Sequence, residues 1–153
     1  MNEIQNINKE ELKLKRLLGI DFGMARVGLA LSDALHISTT PLETLQYKDN
    51  NFWNNLSEII NKNNVGGIVV GIPIYETETE THSKLISNIN IFVNKLKKIT
   101  SLPIFMQDEC LTSKKAVTAM IEMGKKKKFR STKGNTDKIA AAIILQEFLN
   151  NLI

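Results

Sequence analysis

At 153 residues, with 42% hydrophobic and 24% charged residues, the chain has the balance of one soluble globule with a substantial core, and a second domain is not expected. The single cysteine, Cys110, excludes an internal disulfide. With no apolar run of spanning length and no signal-peptide pattern at Met1, a cytoplasmic protein without membrane contact is expected. The net charge of +4 is modest, but it is focused: nine Lys or Arg lie between Lys114 and Lys138 against Glu122 and Asp137, an excess of seven, so the rest of the chain is slightly acidic.

The first fifteen residues, MNEIQNINKEELKLK, are polar and read as a mobile or weakly helical extension, which places the domain at residues 16–153. Three strands follow with hairpin-length connections: Arg16–Phe22, Val27–Ser32, and His36–Leu45 broken by Pro41. Phe52, Trp53, Leu56, Ile59 and Ile60 recur at helical spacing, and VGGIVVGIP then reads as a short buried strand stopped by Pro73. The stretch YETETETHS is polar and has no core-facing period, so His82 within it is expected to be a solvated surface residue. Leu85, Ile86, Ile89, Phe92, Val93 and Leu96 form the stripe of a second amphipathic helix, and SLPIFMQDE resumes as a strand. A helix over Thr112–Met123, an exposed loop GKKKKFRSTKGN and a last helix over Thr136–Leu149, capped by Asn135, complete the chain. Strands joined through helices pair in parallel, so the order predicts an α/β three-layer domain with a mixed five-stranded sheet and helices on both faces.

Acids stand at the ends of three elements: Asp21 closes the first strand, Asp108 and Glu109 close the last, and Asp137 lies in the first turn of the last helix. Crossovers able to bring the first and last strands side by side would let all three sites converge. Each acid also has a structural reading. Asp137 gains about 0.3–1 kcal/mol from the helix dipole alone, and Asp21 could cap a turn by accepting from amides near Gly23. Asp21 is the harder to explain so, because aspartate is depleted in strands and a buried, unpaired carboxylate is costly. If the acids converge, their repulsion is relieved by hard divalent ions, Mg2+ or Mn2+, and two ions about 4 Å apart can activate water and stabilise a leaving oxygen at a phosphodiester. The run KKKKFR beside such a site would supply phosphate contacts sensitive to salt.

The segments GIDFGMARVGLALSD, VVGIP, DECLTS and TDKIAAAIIL, in that order, resemble the successive motifs of the YqgF family, also called RuvX. The likeness runs from about Arg16 to Leu149 and implies an RNase H-like fold and a nuclease. The activities it implies are processing of the 5′ end of precursor 16S rRNA or resolution of Holliday junctions. Asp21 matches the family's first-strand aspartate, Glu109 the glutamate of its Asp-Glu-Arg motif, and Asp137 the aspartate opening the last helix. Those three are the implied catalytic and metal-binding residues, with Asp108 a neighbour that also matches. Neighbours on a regular strand point to opposite faces, so only one of Asp108 and Glu109 should face Asp21. Arg26, Lys125, Lys126, Lys127, Lys128, Arg130 and Lys138 are the expected nucleic-acid contacts. The chain departs from the family pattern at Cys110, where the motif has arginine and where a packing role is expected. It departs also at Met24–Ala25, in the acidic rim stretch after Pro73, and at Lys138, which is placed to approach Asp137. Expected partners are precursor rRNA or branched DNA, bound by a monomer or homodimer. The competing class is a catalytically inactive RNA-binding assembly module in which the acids serve only as caps.

Overall fold

The computed structural model describes residues 9–73, 79–109 and 135–152. A short helix α1 (Lys9–Leu12) leads into β1 (Arg16–Phe22), β2 (Arg26–Ser32) and β3 (Thr39–Gln46), followed by α2 (Phe52–Lys62), β4 (Val65–Pro73), α3 (Glu80–Ile99), β5 (Ile104–Glu109) and α4 (Asn135–Asn151). The sheet order is β3-β2-β1-β4-β5, antiparallel across β1, β2 and β3 and parallel from β1 through β4 to β5. This is the expected mixed sheet of five strands. The first and last strands are not neighbours, however, because β4 lies between them.

Strand alternation divides the core into two halves. On one face Leu18, Ile20 and Phe22 of β1 and Val27, Leu29 and Leu31 of β2 pack with Phe52 and Leu56 of α2 and Ile89, Phe92 and Leu96 of α3. On the other, Leu17, Ala30, Val69 and Phe105 meet Ala141, Ile144, Leu145 and Phe148 of α4. An aromatic group secures the end of β1: the Phe22 and Phe92 rings are 4.7 Å apart and Trp53 stacks on Phe92 at 5.4 Å. The turn after β1 is tied to the same group, since the Tyr47 amide donates to the Ala25 carbonyl at 3.0 Å. No helix among the described residues is long and apolar enough to cross a membrane.

Local chemistry explains where elements depart from the sequence reading. The polar leading stretch contributes to the core, because Leu12 is 2% exposed and packs with Leu17 and Phe105. Residues 36–38 belong to a turn rather than to the third strand: Asp33 Oδ1 accepts from the amides of Ile37 at 2.7 Å and Ser38 at 3.2 Å, and His36 adopts φ 60°. Pro41 does not break β3. The pairing passes from Leu29↔Glu43 to Ala30↔Pro41, leaving Leu42 as the extra residue of a bulge on an edge strand, where a missing N–H is tolerated. Helix α3 begins inside the acidic stretch because Thr79 caps it, accepting from the His82 amide at 3.1 Å, and Glu80 meets the positive end of the dipole. The expected helix over Thr112–Met123 lies outside the described residues.

Candidate active site

Asp21 is the next-to-last residue of a strand whose Leu17, Gly19 and Asp21 all face α4, so the alternation that buries Leu18 and Ile20 on the opposite side aims this carboxylate at the last helix. The same rule separates the acid pair on β5. Phe105, Gln107 and Glu109 share the α4 face, whereas Asp108 points the other way and is exposed. Asp137 arrives from the first turn of α4. Asp21, Glu109 and Asp137 line one cleft of about 230 Å³ together with Gly23, Gly71, Pro73, Leu85 and Ile89.

Two glycines make that convergence possible. Gly71 occupies β4 between the strands that carry Asp21 and Glu109. A methyl group there would stand 2.5 Å from Ile144 Cδ1 and 3.3 Å from the Glu109 carboxyl carbon, so its absence leaves room for the glutamate beneath α4. Gly28 pairs with Asp21 across β1 and β2, and the backbone of Asp137 rests directly on its Cα, with Lys138 N 2.8 Å from where a Cβ would be. The helix start is thereby seated over the aspartate of the sheet.

The electrostatics are those of crowded anions. Burial is the main cause that holds the Asp21 carboxyl well above its ordinary pKa, and the charges of Glu109 and then Asp137 push it further up. Among the described residues no backbone amide lowers it, so Asp21 is not the turn cap that Gly23 could have made of it. The cation near the cleft serves Asp137 instead: Arg26 Nε donates to Asp137 Oδ2 at 2.8 Å, with the two side chains only 28% and 25% exposed. Of the expected nucleic-acid contacts, Arg26 and Lys138 fall among the described residues: Arg26 makes this pair with Asp137, and Lys138 is half-buried without an ion pair among the described residues. His82 is not a solvated residue of the rim. It is half-buried, with Nε2 3.2 Å from the Pro73 carbonyl oxygen at the cleft wall. Cys110, Lys125, Lys126, Lys127, Lys128 and Arg130 lie outside the described residues.

Among the described residues, no three His, Cys, Asp or Glu side chains stand close enough to clasp one ion as they are arranged. The donor set nevertheless suits a hard divalent cation. Three carboxylates face one cleft, and two of them raise the proton affinity of the third, which is the penalty that a cation would remove.

A family model described as RuvX, Holliday junction resolvase, matches residues 15–151. The chain belongs to the RuvX family. Relatives of this RuvX chain include one from Amoebophilus asiaticus (strain 5a2) that is 39% identical over 137 residues, covering 89% of this chain and 94% of its own length. Another, from Orientia tsutsugamushi (strain Ikeda), is 39% identical over 139 residues, covering 90% of this chain and 85% of its own. Both bear the name "Putative pre-16S rRNA nuclease". Among solved structures, the T. thermophilus RuvC bound to a Holliday junction substrate matches with a TM-score of 0.53 at 15% identity, over 90% of this chain and 96% of that one. The fowlpox virus resolvase in complex with Holliday junction DNA matches with a TM-score of 0.53 at 10% identity, over 90% and 99%. These likenesses show the fold, an RNase H-like α/β arrangement with a mixed five-stranded sheet between helices.

Proposed function

We propose that this RuvX-family chain is a metal-dependent endonuclease that hydrolyses phosphodiester bonds in structured RNA, with the 5′ end of precursor 16S rRNA as its substrate. The observation that carries the chemistry is the single cleft onto which β1, β5 and α4 direct Asp21, Glu109 and Asp137. The choice of RNA rests on the name shared by relatives that match nearly the whole chain. Asp21, Glu109 and Asp137 would hold Mg2+ or Mn2+. When bound, two such ions supply a water of lowered pKa and charge stabilisation at the leaving oxygen. The protein's own part is positional: the sheet and α4 fix where the carboxylates stand, and burial beneath the helix strengthens every charge interaction at that spot.

A second reading, cleavage of branched DNA, is favoured by the description of the matching family model. Incubating the full chain with Mn2+ and single-stranded RNA, hairpin RNA, duplex DNA and a four-way DNA junction decides between them. Cleavage confined to structured RNA is expected. Preferential cutting of the junction by a symmetric dimer would establish the second reading, and no cleavage of any substrate would leave an RNA-binding module.

Phosphate contacts are assigned to Lys125, Lys126, Lys127, Lys128, Arg130 and Lys138, with Arg26 nearer the acids. Replacing Lys125 to Lys128 together with alanine is expected to weaken binding to RNA and DNA alike. The slope of log affinity against log salt should fall by up to about 3, the counterion release of four phosphate contacts. An unchanged slope in a filter-binding or anisotropy titration would remove the lysine run from the interface.

A further inference from the structure

Arg26 is held against one of the three acids that line the cleft. Its strand β2 places it on the α4 face two residues before Gly28, the glycine on which the Asp137 backbone rests, so the pair is fixed from both sides. Arg26 Nε takes Asp137 Oδ2 at 2.8 Å, with both side chains largely withdrawn from water. Its two Nη groups donate to no described residue, which leaves a planar fork of donors suited to phosphate oxygens. Meanwhile the three acids share a cleft without closing into a clasp.

We propose that Arg26 is a positioning residue that withholds Asp137 from the metal until a nucleic-acid phosphate arrives. In the free protein the guanidinium occupies one carboxylate oxygen and its charge opposes entry of a divalent cation. An incoming phosphodiester offers Arg26 a second anion, and Asp137 is released to the ion. Metal and nucleic acid therefore strengthen each other's binding by the same factor, as linkage requires. The device would suppress metal loading in the absence of nucleic acid. It rests on the metal-nuclease reading and adds to it the order in which the site is completed.

The test measures Mn2+ binding to the full-length protein alone, by the loss of the free-ion EPR signal at constant ionic strength. In parallel, anisotropy follows a labelled 2′-O-methyl RNA hairpin with and without Mn2+. Arg26→Gln is expected to bind Mn2+ alone more tightly than wild type, by roughly 5-fold or more, and to show less enhancement of hairpin binding by Mn2+. Arg26→Lys, which keeps a cation against Asp137, should return both quantities toward wild type. Equal or weaker Mn2+ binding by Arg26→Gln would overturn the proposal, as would a wild-type protein whose hairpin affinity ignores Mn2+, a measurement that needs no variant. Mn2+ binding that Asp21→Asn abolishes but Arg26→Gln leaves unchanged would remove the role of Arg26 alone. Absence of Mn2+ binding by Arg26→Gln, and by wild type with the hairpin present as well as alone, would remove the metal-nuclease reading with it.

Discussion

Asp21→Asn is expected to abolish cleavage, to leave nucleic-acid binding without metal nearly intact, and to make the metal-free protein more stable at neutral pH. The loss of activity follows from the position of the side chain, on the strand face beneath α4 and in one cleft with Glu109 and Asp137. Removing a charged ligand from such a site forfeits several kcal/mol of transition-state stabilisation, roughly a thousandfold in rate. Binding survives because the phosphate contacts are assigned to cations elsewhere. The gain in stability follows from the raised pKa. Because the folded state holds the Asp21 proton more tightly than the unfolded chain, with its ordinary value of 3.8, the folded state binds more protons between the two values. Stability from this group is thus complete at low pH and is lost as the pH rises through the folded pKa. Asparagine carries no charge at any pH, so the thermal midpoint of the variant in EDTA should exceed that of wild type at neutral pH. The gain amounts to about 2–4 °C for each kcal/mol relieved in a chain of this size. The difference between the two proteins should shrink toward pH 4, which isolates Asp21 from other titrations. An Asp21→Asn variant as active as wild type, or a stability difference independent of pH, would separate Asp21 from the chemistry assigned to it.

That aspartate was legible in the sequence because it violates a rule. An apolar strand with period-two burial has no reason to hold a carboxylate, and the structure puts Asp21 where the alternation of Leu18, Ile20 and Phe22 requires. The same alternation separates Glu109 from Asp108. What the local pattern could not carry were relations between distant segments. Arg26 meets Asp137 across 111 positions, and nothing in MARVG distinguishes an arginine bound for phosphate from one bound for a carboxylate. Glu109 reaches Asp21 across β4 rather than from an adjacent strand, and the clearance that permits this is a missing side chain at Gly71 inside a run, VGGIVVGIP, that reads simply as a buried strand. Leu12 looked like an isolated apolar residue in a polar stretch, and its burial depends on Phe105, far along the chain. Helix α3 starts early because one threonine caps it, a signal that the hydrophobic stripe beginning at Leu85 does not contain. Periodicity reports which face a residue occupies, whereas the composition of the site depends on which faces meet.

Gly28→Ala is expected to cost the protein roughly 3 kcal/mol, at the upper end of overpacking penalties, lowering the thermal midpoint by about 6–12 °C. The added methyl would fall within van der Waals contact of the Asp137 carbonyl and 2.8 Å from Lys138 N, and these are backbone atoms in the first turn of α4 that no rotamer change can withdraw. Either the helix start lifts from the sheet or β2 bends away beneath it. Because Gly28 is the residue paired with Asp21, both responses alter the distance between Asp21 and Asp137. A shift near 1 Å at a catalytic group can cost about a hundredfold in rate, so cleavage should fall even at temperatures where the variant is fully folded. Gly67→Ala is the control. The atoms nearest its methyl among the described residues would be side-chain atoms of Leu17, Leu12 and Phe105 at 3.1–3.3 Å, away from the acids. That variant should lose less stability and keep the Mn2+ affinity and cleavage rate of wild type once folded, whereas Gly28→Ala should keep neither. Wild-type cleavage by folded Gly28→Ala protein would show that the seat of α4 on Gly28 does not place Asp137 for the reaction.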